Sequence, residues 1–272
     1  MPTGSPDAVL AFTAYGLTDV GRRRERNEDA FLIDADLQLY IVADGMGGHV
    51  GGGLASRLAV ATIEEAIKPM LEPDATLEEP KAILRKAIHA AGQRIFQRAA
   101  ENPALKGMGT TTVALWFRDK MAYLANVGDS RGYLVRQGRI RQLTIDHSLV
   151  GEQMRAGVIS ETDAKSHRLK NIITRSVGFQ EVVEIDLDSR MARPGDLFVL
   201  CTDGLTNMID DQEILSVVTH NHPKDAAHQL IDLANERGGD DNITILLVQV
   251  ERAGDPASAQ AEEEFEEPTI EI

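Results

Sequence analysis

A chain of 272 residues with 43% hydrophobic content carries enough apolar side chain for a sizeable core, in one large domain or two small ones. Its formal charge of −15, from 28 basic and 43 acidic residues, argues against nucleic acid as a partner, because phosphate backbones are gripped by clustered Lys and Arg. There is no run of eighteen apolar residues and no basic-then-apolar leader, so the sequence predicts a cytoplasmic protein with no membrane segment. The single cysteine, Cys201, sits in an apolar run and reads as a small core residue of a reducing compartment.

Residues 1–8 are expected to be disordered, and Val9 to Thr18 forms a first strand. The stretch GRRRERNEDA that follows mixes four arginines with three acids, too mixed for a nucleic-acid patch, and by itself reads as a charged loop. Ala30 to Ile33 and Leu37 to Ala43 read as a hairpin turning at Asp34-Ala35-Asp36. The second of these strands runs into Asp44-Gly45 and a glycine-rich turn carrying His49. A buried strand ending in a carboxylate beside bare backbone suits a hard cation, although most Asp-Gly pairs are plain turns. Apolar spacing of 3.6 residues then predicts helices over Leu54 to Leu71 and, opened by Pro80 and closed by Asn102-Pro103, through Ala99.

Thr110 to Phe117 and Met121 to Val127 are expected to pair across Arg118-Asp119-Lys120, and Gly132 to Val135 with Ile140 to Thr144 across Gln137-Gly138. Asp146 to Gly178 is less regular, with a short helix at Leu149 to Ala156 and a basic stretch around Lys165 to Lys170; it reads as a flap that selects substrates. Strands follow at Ile185 to Met191 and Asp196 to Thr202, helices at Asp210 to Thr219 and Pro223 to Arg237, and a last strand at Asn242 to Val250. Beyond it the tail from Glu251 carries eight acids and one base, and is expected to be disordered, either a solvated end or a docking segment for a basic partner.

Four strand ends in this order offer a carboxylate: Asp44, Asp129, Asp203 and the pair Asp240 and Asp241. Carboxylates brought together without a cation repel one another and shift their pKa values, so a divalent ion is the natural neutraliser. An all-oxygen set selects Mg²⁺ or Mn²⁺; zinc would recruit His or Cys, and the seven histidines show no ligand spacing.

The ordered set RRRERNEDA, VADGMGGH, GMGTTTVAL, NVGDSRGYL, DHSLV, LCTDGL and GGDDNITILLV resembles the metal-dependent protein Ser/Thr phosphatases of the PPM or type 2C family, in their bacterial form. The resemblance runs from about Ala11 to Val250. It implies an α+β fold, a central sandwich of two antiparallel β-sheets flanked by helices on both sides, as one domain over residues 9–250 followed by the acidic tail. It also implies two or three Mn²⁺ or Mg²⁺ ions at one edge of the sandwich. By motif, Asp44 would bridge two metals, Gly45 would offer its carbonyl, and Asp203 and Asp241 would complete the other side. Asp129 would help Asp203 hold a weaker third ion, and Glu28 and Asp29 would act on the second metal directly or through its waters. Arg24, five residues before Asp29, would hold the substrate phosphate, with Arg22, Arg23 and Arg26 as surface charges. A metal-bridging water would attack phosphorus in line. His49 or a metal-bound water would protonate the leaving group, a choice the sequence leaves open. The implied partners are phosphorylated proteins, including a Ser/Thr kinase of bacterial type whose action the enzyme would oppose, and the enzyme is expected to be a monomer.

Two other chemistries, and loss of chemistry altogether, compete with this reading. GDSRG fits a G-x-S-x-G nucleophile elbow with Ser130 as the nucleophile, but an elbow leads from strand to helix and the residues after it look like strand. A cysteine phosphatase needs an arginine six residues after the cysteine, where Asn207 stands. A metal-free phosphopeptide-binding module is the third alternative, disfavoured because every matched acid is present.

Overall fold

The computed structural model describes residues 9–47, 51–71, 79–160, 163–164 and 167–253. Its elements in order are β1 (Leu10–Asp19), β2 (Asp29–Asp34), β3 (Leu39–Met46), α1 (Gly51–Ile67), α2 (Pro80–Glu101), β4 (Gly109–Thr110), β5 (Thr112–Arg118), β6 (Met121–Val127), β7 (Arg131–Arg136) and β8 (Arg139–Gln142). Then come α3 (Leu149–Arg155), β9 (Asp186–Met191), β10 (Leu197–Cys201), α4 (Asp203–Thr206), α5 (Asp211–His220), α6 (Pro223–Glu236) and β11 (Ile243–Arg252). The final strand thus runs two residues past the predicted domain end at Val250, held by pairing of Leu10 with Arg252. The expectations for residues 1–8 and for most of the acidic tail fall outside the described residues.

One sheet has the order β1-β11-β10-β7-β8 and the other β2-β3-β5-β6-β9, with β4 added to β3; all strand pairings are antiparallel. Between the sheets lies a core of Tyr40, Val42, Leu115, Phe117, Phe198, Leu200, Leu246 and Val248. The opposite face of the second sheet, with Leu39, Ile41 and Trp116, packs under α1 and α2, and that of the first, with Val199, Ile245 and Leu247, under α5 and α6. This is the four-layer sandwich that the resemblance implied. Burial on both faces explains why the strands read as continuous apolar runs rather than alternating ones.

Two hairpins close through two-residue turns in the left-handed region, Asp119 with Lys120 and Gln137 with Gly138, at the predicted places. The predicted strand from Thr110 to Phe117 is divided at Thr111. Its N–H donates to Asp44 O at 2.9 Å and its hydroxyl accepts from Asp44 N at 2.9 Å, so the chain turns aside there to grip the end of β3. The predicted hairpin turn at Asp34 to Asp36 lies slightly later, with Gln38 at φ 54 and its N–H on Ala35 O.

Strand direction gathers the predicted acids. Antiparallel pairing puts the ends of β1 and β10 beside the start of β11, and the start of β2 beside the end of β3. Because β5 lies antiparallel between them, β3 and β6 end at the same edge. Asp29, Asp44, Asp129, Asp203 and Asp241 therefore all belong to one edge of the sandwich.

Candidate metal centre

Side-chain alternation aims two of these acids between the sheets. Tyr40 and Val42 face the inter-sheet core, so Asp44 on the same strand face caps it, and Asp29 is its cross-strand neighbour. From the other sheet, Thr202 and Thr244 continue the faces of Leu200 and Leu246. Their hydroxyls donate to Asp29 Oδ2 at 2.9 and 2.6 Å, while Asp29 Oδ1 is buried with no partner among the described residues. Burial pushes the Asp29 carboxyl up to about 7, against the pull of those two hydroxyl bonds. Asp44 is pushed well above the usual carboxylate range, first by burial and then by the charges of Asp29, Asp203, Asp129 and Asp241.

Asp203 opens α4 rather than ending a strand as predicted, and Asn207, one turn on, donates to its Oδ2 at 3.0 Å. Its Oδ1 is buried without a partner among the described residues. Burial and then the charge of Asp241 raise this carboxyl, offset in part by the hydrogen bond from Asn207. Asp129, 9% exposed, is likewise raised by burial and by Asp203.

Glu28 and Gly45 meet at the start of α1. Gly45 N donates to Glu28 O at 3.2 Å, and the Ser56 hydroxyl donates to the same oxygen at 2.6 Å. A Cβ on Gly45 would stand 2.1 Å from Gly52 O, and one on Gly52 would stand 2.6 Å from Gly45 O and 2.8 Å from the Glu28 carboxyl carbon. Bare backbone is obligatory here, and it leaves the Gly45 carbonyl and the Glu28 carboxylate free of an intervening side chain.

Of the predicted arginines, Arg24 alone reaches the cluster among the hydrogen bonds described, its Nη2 donating to Asp241 Oδ2 at 2.7 Å. Arg23 lies 3.8 Å from Asp240 with both side chains largely exposed. Beside Arg24 and Asp241 is a cavity of about 120 Å³ that Lys170, Asn171 and Asn207 also line, so the predicted flap contributes to the edge of the site. A larger cleft of about 480 Å³ opens between β9 and residues 143–145, but it holds none of the predicted site residues. His49 lies outside the described residues.

Among the described residues no group of three or more His, Cys, Asp or Glu side chains is drawn together as a finished metal cage. The donors nevertheless fit a hard divalent cation. They are oxygens throughout, two buried carboxylate oxygens lack partners, and the carboxylates raise one another's pKa values as uncompensated neighbours do.

The competing chemistries do not fit. Ser130 is fully buried, its hydroxyl is bonded to that of Thr111 at 2.7 Å, and strand β7 follows it, so it is no nucleophile elbow. Burial pushes the Cys201 thiol up to about 12, far from a reactive thiolate.

Residues 20–237 match the family profile described as Protein phosphatase 2C. The chain belongs to the protein phosphatase 2C family. Among its relatives, the serine/threonine phosphatase stp of Listeria monocytogenes is 43% identical over 238 residues, covering 85% of this chain and 93% of the relative. The crystal structure of the Mycobacterium tuberculosis serine/threonine phosphatase PstP/Ppp superposes with a TM-score of 0.82 at 35% identity, over 90% of this chain and 100% of that one. The catalytic domain of PstP in complex with two manganese ions gives 0.80 at 34% identity, over 89% and 100%.

The candidate site also contains residues that sequence reasoning passed over. Asn242 accepts from Glu28 N at 2.8 Å and donates to Val20 O and Arg26 O at 2.9 Å, which fixes the whole Arg24-bearing loop against β11. Thr202, Thr244 and Thr111 are the hydroxyls that hold Asp29 and Asp44. Their one sequence signal was position, each adjoining a predicted acid or strand end.

Proposed function

We propose that this protein serine/threonine phosphatase binds its divalent ions along the carboxylate edge and hydrolyses phosphoserine and phosphothreonine on proteins there. Asp44, the Gly45 carbonyl, Asp203 and Asp241 would hold two ions, Mn²⁺ or Mg²⁺, with Glu28 and Asp29 acting on the second. Asp129 and Asp203 would hold a weaker third. When bound, such ions lower the pKa of water towards neutrality and neutralise charge on phosphoryl oxygens. Arg24 holds the phosphate: its guanidinium is planar and forked, and the bond to Asp241 fixes one of its nitrogens and leaves others to donate to two phosphate oxygens. The inter-sheet core, capped by Asp29 and Asp44, forms a dry floor that strengthens every charge interaction above it. His49 or a water supplies the proton to the leaving alkoxide.

The observation that carries this reading is the meeting of acids from both sheets at one edge, with unpartnered buried oxygens and Arg24 alongside. The physiological substrates we propose are proteins phosphorylated by a Ser/Thr kinase, with Lys170 and Asn171 placing the 146–178 segment against them. Exchanging that segment for one of different sequence should change peptide preference more than turnover of p-nitrophenyl phosphate; equal effects would count against it.

The test of the core reading is phosphate release from p-nitrophenyl phosphate and from a phosphothreonine peptide. It should require Mn²⁺ or Mg²⁺, stop in EDTA, and be abolished by Asp203→Ala and by Asp44→Ala. Activity that survives EDTA but not Ser130→Ala would point to a serine hydrolase, and tight phosphopeptide binding without turnover to a binding module.

A further inference from the structure

His147 is 3% exposed, lies outside the carboxylate set, and grips a single residue twice. Its backbone N–H donates to Gly128 O at 2.9 Å, and its ring Nδ1 accepts from Gly128 N at 3.1 Å. A ring nitrogen that accepts carries no proton, so the tautomer is Nε2–H, which donates to Asp186 Oδ2 at 3.2 Å. Arg175 Nη1 also approaches Nε2 at 3.2 Å, but two donors cannot bond; its partner is Asp186 Oδ1 at 3.0 Å. Burial lowers the ring's pKa, the direction that this arrangement needs. The carbonyl of His147 accepts from Thr174 N at 2.8 Å.

Gly128 is the turn that delivers Asp129. It sits at φ 106, and a Cβ there would lie 2.6 Å from the Thr111 Cβ. Thr111 in turn holds both the Ser130 hydroxyl and the Asp44 backbone. A small rotation of the Gly128 peptide therefore moves Asp129 relative to Asp44.

We propose that His147 is a positioning residue for the Asp129 carboxylate, its Nδ1 fixing the Gly128 peptide and its Nε2–H tying that turn, through Asp186 and Arg175, to residues 174–175 where the 146–178 segment returns. The proposal rests on the reading of Asp129 as a ligand of the weakest ion. A core histidine with satisfied bonds would affect stability alone, and two isosteric variants separate the cases. His147→Asn places an amide oxygen near the position of Nδ1 and keeps the acceptor for Gly128 N–H. His147→Gln places an amide near Nε2 and leaves that N–H unpaired.

In calorimetric Mn²⁺ titrations of the full chain, Asp129→Asn and His147→Gln should each weaken the weakest site about ten- to hundredfold, and His147→Asn by no more than about threefold. In the metal-free ¹⁵N-labelled chain the Gly128 amide should exchange faster in His147→Gln than in His147→Asn. The proposal is overturned if Asp129→Asn weakens the site and His147→Gln does not. It is equally overturned if both His147 variants weaken it alike, in step with lost thermal stability. If Asp129→Asn leaves every Mn²⁺ affinity unchanged, the reading of Asp129 has failed, and equal Gly128 exchange in the two His147 variants would then remove the positioning role as well.

Discussion

Without a cation, the carboxylate edge should make the protein less stable as pH rises. Asp29 is the clearest case, because it is 7% exposed, one of its oxygens has no partner, and its carboxyl is raised to about 7. In the unfolded chain the same group titrates near about 3.9. Between these values the folded state binds more protons than the unfolded state, so stability is lost as pH rises through the window and the loss is complete above about 7. A shift of roughly 3 units corresponds to at most about 4 kcal/mol, and Asp44, Asp129 and Asp203 add in the same direction. For a domain of this size each kcal/mol moves the midpoint by about 2–4 °C, so EDTA-stripped protein should lose on the order of 10 °C in Tm between pH 5 and pH 8. Bound Mn²⁺ requires the deprotonated acids, so the Mn²⁺-induced rise in Tm should grow over the same range. Scanning calorimetry on stripped and loaded protein, with Asp29→Asn alongside, measures all of this. A metal-free Tm that is flat or rising from pH 5 to 8, or an Asp29→Asn slope equal to the parent's, would refute the reasoning.

Three further substitutions probe the site. Arg24→Lys should lower kcat/KM for a phosphothreonine peptide by about tenfold or more while leaving Mn²⁺ affinity close to that of the parent, because a lysine cannot donate to two oxygens in one plane; unchanged kcat/KM would remove Arg24 from phosphate binding. Gly45→Ala must displace the Gly52 carbonyl, 2.1 Å from the new methyl, and should cost about 1–3 kcal/mol in urea unfolding together with most of the activity. Ser130→Ala loses the 2.7 Å bond to Thr111 and should cost about 1 kcal/mol of stability with activity retained within a few fold; abolished turnover in a folded variant would reopen the serine-hydrolase chemistry.

Sequence alone determined the elements and the acids. Apolar runs of strand length, 3.6-residue stripes and Gln137-Gly138 located most strands and helices to within a few residues, because local pattern and turn chemistry act over short distances. It also marked Asp44, Asp129, Asp203 and Asp241 as exceptional, since each lies at the end or the mouth of an apolar run that has no local use for a charge. Strand order was out of its reach: that β1 closes against β11, with some 220 residues between them, depends on long-range pairing that no local pattern encodes. So was the role of the polar residues between the acids. Thr202 and Thr244 read as ordinary strand threonines until the two sheets are stacked, when their hydroxyls converge on Asp29 from 173 and 215 residues away. His147 was part of a recognised motif, yet only the fold sets its two ring nitrogens against Gly128 and Asp186. The chain specifies which groups carry charge; tertiary packing decides which of them are dehydrated together, and dehydration together is what shifts their pKa values and suits them to a cation.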